Sequence, residues 1–159
     1  MKKILYLAAV LLLTVSCTQR NDKIRIYTLK GDGDLTVQVT NFGARVVSMS
    51  APDRNGIKDN LVEGHDNIQD YIDAKGNRFY GACVGPVANR IGGASFEIDG
   101  VRYETPKNDN GVNTLHGGDK GLDMLKWDVL QVQPDRIVMR LIHPNRLEGY
   151  PGNVEITAT

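Results

Sequence analysis

Apolar and polar residues alternate at Ile24 and Ile26 and again at Leu35, Val37 and Val39, with Gly31-Asp32-Gly33 between the two runs. A period of two is that of a half-buried strand, and the glycine-flanked Asp reads as a turn. Arg45 to Ser50 continues in the same style up to Pro52-Asp53-Arg54-Asn55-Gly56, a loop signal. One short helix is predicted, from Ile68 to Ala74, with Asp66 or Asn67 placed to cap its free amides. Ser95 to Glu104 sets Phe96, Ile98, Val101 and Tyr103 around Asp99-Gly100. Both turn residues tolerate positive φ, so a two-residue hairpin is expected there. A second hairpin joins Trp127 to Val132 with Arg136 to Ile142 through Pro134-Asp135, and Val154, Ile156 and Ala158 begin another strand. Short strands at this spacing, with no long amphipathic helix, predict an all-β antiparallel sandwich. The alternation stops at Thr159 with no turn or polar tail, which predicts an open sheet edge and a sandwich incomplete at its C-terminus.

The first residues have another character. Lys2 and Lys3 precede an apolar run from Ile4 to Leu13, and small residues lead into Cys17, the layout of an export signal. The run falls short of the roughly 20 apolar residues that span a bilayer. Ser16-Cys17 resembles a bacterial lipobox, with Thr14 standing where Leu is usual. Residues 1–16 are therefore expected to be a lipoprotein signal peptide, Cys17 a lipidated first residue, 17–23 a tether and 24–159 the folded domain. A plain cleaved signal is the alternative. Either way the protein is exported, and with the lipid it is anchored to a membrane surface, in the periplasm or at the cell surface.

Over the 159 residues 19 Lys and Arg face 19 Asp and Glu, and this balance argues against a nucleic-acid partner, which calls for clustered positive charge. Without residues 1–16, which carry two lysines and no carboxylate, the domain is mildly acidic. Beyond Cys17 the only thiol is Cys83, so no intrachain disulfide framework is available. In Gly81-Ala82-Cys83-Val84-Gly85 it reads as a small apolar strand residue rather than a nucleophile. No His or Cys pair has metal-site spacing.

Three stretches set polar groups among glycines: Gly85 to Gly93, Asn108 to Asp119, and Glu148 to Gly152. In the first, Asn89 and Arg90 together offer an acceptor and many fixed donors, which suits a ligand covered in hydroxyls; an Arg that ties loop carbonyls together is an equal alternative. In the second, His116 stands before Gly117-Gly118. Glycines let a backbone approach a ligand closely, and His exchanges protons near neutrality. A phosphate-cradling loop is disfavoured, because the Walker spacing and its Lys-Ser/Thr are missing. His65 and His143 read as hydrogen-bonding loop residues. Trp127 is expected in the core rather than against a sugar.

Taken together, these stretches resemble the aldose 1-epimerase family, the galactose mutarotases. The resemblance rests on Asn41-Phe42-Gly43-Ala44 in an early strand, GPVANRI at 85–91, the hairpin after it, NDNGVNTLHGG at 108–118 and LEGYPGNVEITAT at 147–159. It covers nearly everything after the tether, in the family's order. It implies a large antiparallel β-sandwich that interconverts the α and β anomers of free aldoses such as galactose and glucose. It also implies that Asn89, Arg90 and His116 contact the sugar, and that no metal or organic cofactor is needed. Ring opening takes a proton from the anomeric hydroxyl and gives one to the ring oxygen. The family's acid His and base Glu lie further along than residue 159, so no catalytic residue is assigned here. His143 and Glu148 are not their counterparts, and Pro86 replaces an Arg common in the family. A lipid-anchored carbohydrate-binding module without turnover and a purely structural sandwich are the competing expectations.

Overall fold

In the computed structural model, residues 23–159 are described, so the expected signal, Cys17 and all of the tether except Lys23 lie outside the described residues. Strand β1 (Ile26–Lys30) pairs antiparallel with β2 (Thr36–Thr40), β2 with β3 (Arg45–Pro52) and β3 with β4 (Lys58–Asn60), so that the first sheet follows chain order. Asn41 to Ala44, expected in a strand, forms the turn between β2 and β3, where Thr40 pairs with Arg45. The physical reason is that Asn41 spends its polar groups elsewhere. Its Oδ1 accepts from the Arg25 N–H at 2.8 Å and its carbonyl from the Trp127 N–H at 2.7 Å. The helix α1 (Ile68–Ile72) ends two residues early, because Ala74 turns to a φ of 52°. Asn67, not Asp66, is its cap, accepting from the Asp70 N–H at 3.0 Å.

Two short ladders follow, β5 (Arg90–Ile91) with β8 (Thr114–Leu115), and β6 (Ser95–Ile98) with β7 (Val101–Glu104). Asp99 and Gly100 close the latter with φ of 51° and 75°, as the dipeptide predicts. Strands β9 (Asp128–Val132), β10 (Ile137–His143) and β11 (Val154–Ala158) make a three-stranded antiparallel sheet with β10 at its centre. Among the described residues β11 pairs only with β10.

The core gathers from both larger sheets. Val39, Leu122, Trp127, Ile137, Met139 and Leu141 are its buried centre, with Leu29, Val46, Cys83 and Ala158 packed against it. Trp127 is 1% exposed and its Nε1–H donates to the Leu122 carbonyl at 3.2 Å, so it packs in the core as expected. His143 departs from expectation. It is the fourth inward position of β10 after Ile137, Met139 and Leu141, fully buried, with its ring edge-on to Tyr150 at 6.0 Å. Both of its ring nitrogens lack a hydrogen-bond partner, so its place is set by strand register and not by loop bonding.

Cys83 is half-buried against the core but lies outside any strand. Its N–H bonds the Gly43 carbonyl at 2.9 Å and the Val46 N–H bonds Gly81 at 3.0 Å, so residues 81–83 run beside the β2–β3 turn without a regular ladder. Burial pushes its thiol pKa up, away from nucleophile chemistry. Between the sheets an open cavity of about 570 Å³ is lined by Leu29, Val46, Cys83, Ile137, Met139 and Ala158 among others.

Candidate functional site

Register brings the three predicted residues together. In the β5–β8 ladder Arg90 pairs with Leu115 and Ile91 with Thr114, so the residue before β5 meets the residue after β8. Asn89 and His116 then bond reciprocally: the His116 N–H donates to the Asn89 carbonyl at 2.9 Å, and the Asn89 N–H donates to His116 Nδ1 at 3.0 Å. Both hold the left-handed backbone, with φ of 61° and 51°. Nδ1 accepts a bond, so in the neutral imidazole the proton is assigned to Nε2, leaving an N–H donor on the far side of the ring.

Arg90 is braced, not free. Its Nε donates to Asp109 Oδ2 at 2.8 Å, Nη2 to Asp109 Oδ1 at 3.4 Å and Nη1 to Asn89 Oδ1 at 3.1 Å. These engage three of its five donors, while its side chain remains 52% exposed. The bond from Arg90 holds the Asp109 carboxyl below the usual carboxylate range, helped by Asn113. The same pair raises the guanidinium pKa further. Asp109 was missed in the sequence, although it lies inside the polar stretch singled out there. The available signal was charge: an Arg fixed in a binding loop needs a counter-ion, and the 108–119 stretch offers only Asp109 and Asp119.

The glycines after His116 serve the protein rather than a ligand. A Cβ on Gly117, whose φ is 94°, would collide with the Gly85 carbonyl, and one on Gly118 with the Glu148 carboxylate. Both glycines are buried. Glu148 Oε2 accepts from the Asp119 N–H at 2.7 Å, so this acid of the Glu148 to Gly152 stretch braces the His116 loop. Asn108 clamps the strand before it, donating to the Leu115 carbonyl at 3.0 Å and accepting from its N–H at 2.7 Å.

Tying loop carbonyls, the alternative role weighed for Arg90, falls to two other arginines. Arg78 donates to the Gly118 carbonyl at 2.9 Å and the Asp119 carbonyl at 3.0 Å, and its Nε lies 2.9 Å from Asp123 Oδ2. Fully buried Arg45 donates to the carbonyls of Arg78, Tyr80 and Asp123 at 2.8, 2.7 and 3.1 Å. Burial pushes the Asp123 carboxyl up, and Arg78 pulls it back. His65 stands apart from all of this, edge-on to Tyr71 at 4.7 Å and Tyr80 at 5.5 Å, with its backbone N–H bonded to the Tyr71 hydroxyl. Among the described residues no three His, Cys, Asp or Glu side chains gather as a metal-binding group.

Comparison with known proteins identifies the family. The family profile for aldose 1-epimerase matches residues 25–159. A probable aldose 1-epimerase of Arthroderma benhamiae is 37% identical over 137 residues, covering 84% of this chain and 31% of the relative. The galactose mutarotase of Bos taurus is 34% identical, covering 82% and 36%. A crystal structure of a GalM/aldose epimerase homologue from C. elegans superposes with a TM-score of 0.79 at 31% identity, over 85% of this chain and 41% of that one. The chain thus spans about a third of the curated relatives it matches.

Proposed function

Because the chain belongs to the aldose 1-epimerase family, a family of isomerases, we propose that Asn89, Arg90 and His116 form one wall of a pocket for a free aldohexose such as galactose or glucose. A chain of the relatives' full length would interconvert the sugar's α and β anomers. The observation that carries this reading is the β5–β8 ladder, which holds an imidazole N–H donor, an exposed guanidinium and an Asn side chain side by side. Polar groups held side by side suit the adjacent hydroxyls of a sugar ring. Asp109 keeps Arg90 oriented, so part of the ordering cost of binding is met before the sugar arrives.

For residues 1–159 alone the same geometry supports binding without turnover. The family's acid His and base Glu have no counterpart among them, and His143, buried with both nitrogens unpartnered, is not placed to serve. Polarimetry on freshly dissolved α-galactose tests both statements. The 159-residue chain is expected to leave the spontaneous rate unchanged. A chain continued to the relatives' full length is expected to accelerate it, and Arg90→Ala or His116→Ala to remove most of the gain. A full-length chain that gives only the spontaneous rate sinks the enzymatic reading and leaves a lipid-anchored carbohydrate-binding module. Cys17 as a lipidated residue places either protein on a membrane surface, as an exported lipoprotein; Cys17→Ser should move it to the soluble fraction, and its retention in membranes counts against the anchor.

A further inference from the structure

We infer that Arg78, acting through Phe79 and the Gly118-Asp119 carbonyls, is the positioning residue that fixes the His116 imidazole in its donor orientation. This rests on the reading of His116 as a sugar contact, although the tautomer measurement below needs no sugar. His116 occupies a left-handed conformation that a β-carbon disfavours, so the loop keeps it there only if held from outside. Arg78 does so from two directions. Its Nη2 and Nη1 take the carbonyls two and three residues after His116, at 2.9 and 3.0 Å, which pins the backbone exit from the loop. Its guanidinium carbon also lies 4.8 Å from the centre of the Phe79 ring, which meets the His116 ring edge-on at 4.6 Å. The cation orders the aromatic ring, and the ring limits rotation of the imidazole, so Nδ1 stays on the Asn89 N–H and Nε2–H stays available.

Arg78 is itself over-determined. Asp123 pairs with it at 2.9 Å, and buried Arg45 holds its carbonyl at 2.8 Å. A side chain needed only to cover the core would not require three charged groups around one loop. Lysine cannot replace it, because one ammonium cannot serve two carbonyls and a carboxylate in a single plane while lying flat on a ring.

The test reads the imidazole directly. In the ¹⁵N-labelled chain, long-range ¹H–¹⁵N spectra at pH 8 should show His116 wholly as the Nε2–H tautomer, with Nδ1 as a hydrogen-bonded acceptor. Arg78→Lys should convert this to a mixture of tautomers and shift the Gly117 and Gly118 amides, with the His65 and His143 signals unmoved. A folded Arg78→Lys protein that keeps His116 wholly Nε2–H overturns the inference. Should that variant fail to fold, Phe79→Leu decides by the same reading, since it leaves the Arg78–Asp123 pair intact; an unchanged tautomer there also overturns it. A mixed tautomer in the variants alongside a wild-type chain indifferent to galactose would uphold the positioning role and reject the sugar reading.

Discussion

The loops around His116 and the space between the two larger sheets are built on opposite plans. Around His116 the backbone is tied by charged or amide side chains, Arg78 on Gly118 and Asp119, Glu148 on Asp119 and Asn108 on Leu115, while Asp109 holds the Arg90 side chain. Between the sheets, Leu29, Val46, Met139 and Ala158 face an open cavity of about 570 Å³. At Gly117 and Gly118 the first region has no room for one more carbon, and the second has room for many. Sites need atoms held to fractions of an ångström, which directional hydrogen bonds provide, whereas apolar burial is tolerant of shape and fixes stability more than position. The loops where the sugar is proposed to bind are ordered in the first way.

Adding carbon to each region breaks or sharpens that contrast. The largest effect is expected from Gly117→Ala, whose new methyl meets the Gly85 carbonyl at a φ of 94°. It should cost about 3 kcal/mol in denaturant unfolding. A cost near zero would mean that the loop is as yielding as the cavity.

Next in size is Asp109→Asn, which removes the charge-assisted bonds to Arg90 without changing shape. Galactose affinity should fall about tenfold while the thermal midpoint barely moves. An equal loss of both would make Asp109 a packing residue.

Acid offers a smaller perturbation, and it strikes between the two regions. Burial holds the His143 imidazole below its ordinary range, with Glu148 opposing. The unfolded chain therefore takes up the proton first as pH falls, so this contribution to stability is complete above about pH 6.5 and is lost below it. Unfolding midpoints measured from pH 7.5 to 5.0 should drop for the wild type by less than one proton's linkage. His143→Leu should flatten that part of the profile; an unchanged slope would assign the acid sensitivity elsewhere.

Ala158→Val is the smallest change and the only one with a positive sign. The residue lines the cavity and sits opposite Met139 in β11, where a branched side chain suits the strand. It should gain about 1 kcal/mol in the same unfolding measurement. Destabilisation there would show that the inter-sheet space is closed in solution.

What could be read in the sequence follows the range of each interaction. The Asp99-Gly100 hairpin and the Asn67 cap are set by neighbours within a few residues, and both were legible. Asn41 to Ala44, set in a strand along with the family resemblance, misled because the bonds that make it a turn come from Arg25 and Trp127, far from it in sequence. His143 misled because a Pro follows it, although register alone carries it inward. In the site, Asn89, Arg90 and His116 stood out as polar groups among glycines, and the family resemblance assigned them to a sugar. Their supports were not, because Asp109 stands 19 residues from Arg90 and Asp123 stands 45 from Arg78. Charge narrows the partner of Arg90 to Asp109 or Asp119, and only the fold chooses between them.

The central claim is that Asn89, Arg90 and His116 act as one sugar-contacting wall. A galactose titration of the ¹⁵N-labelled chain, followed through its backbone and side-chain amide signals, tests it most directly. Saturable shifts centred on these three residues and Asp109, with a Kd of about millimolar order and loss of the response in Arg90→Ala, are the predicted result. Shifts that are absent, or that persist unchanged in Arg90→Ala, would contradict it.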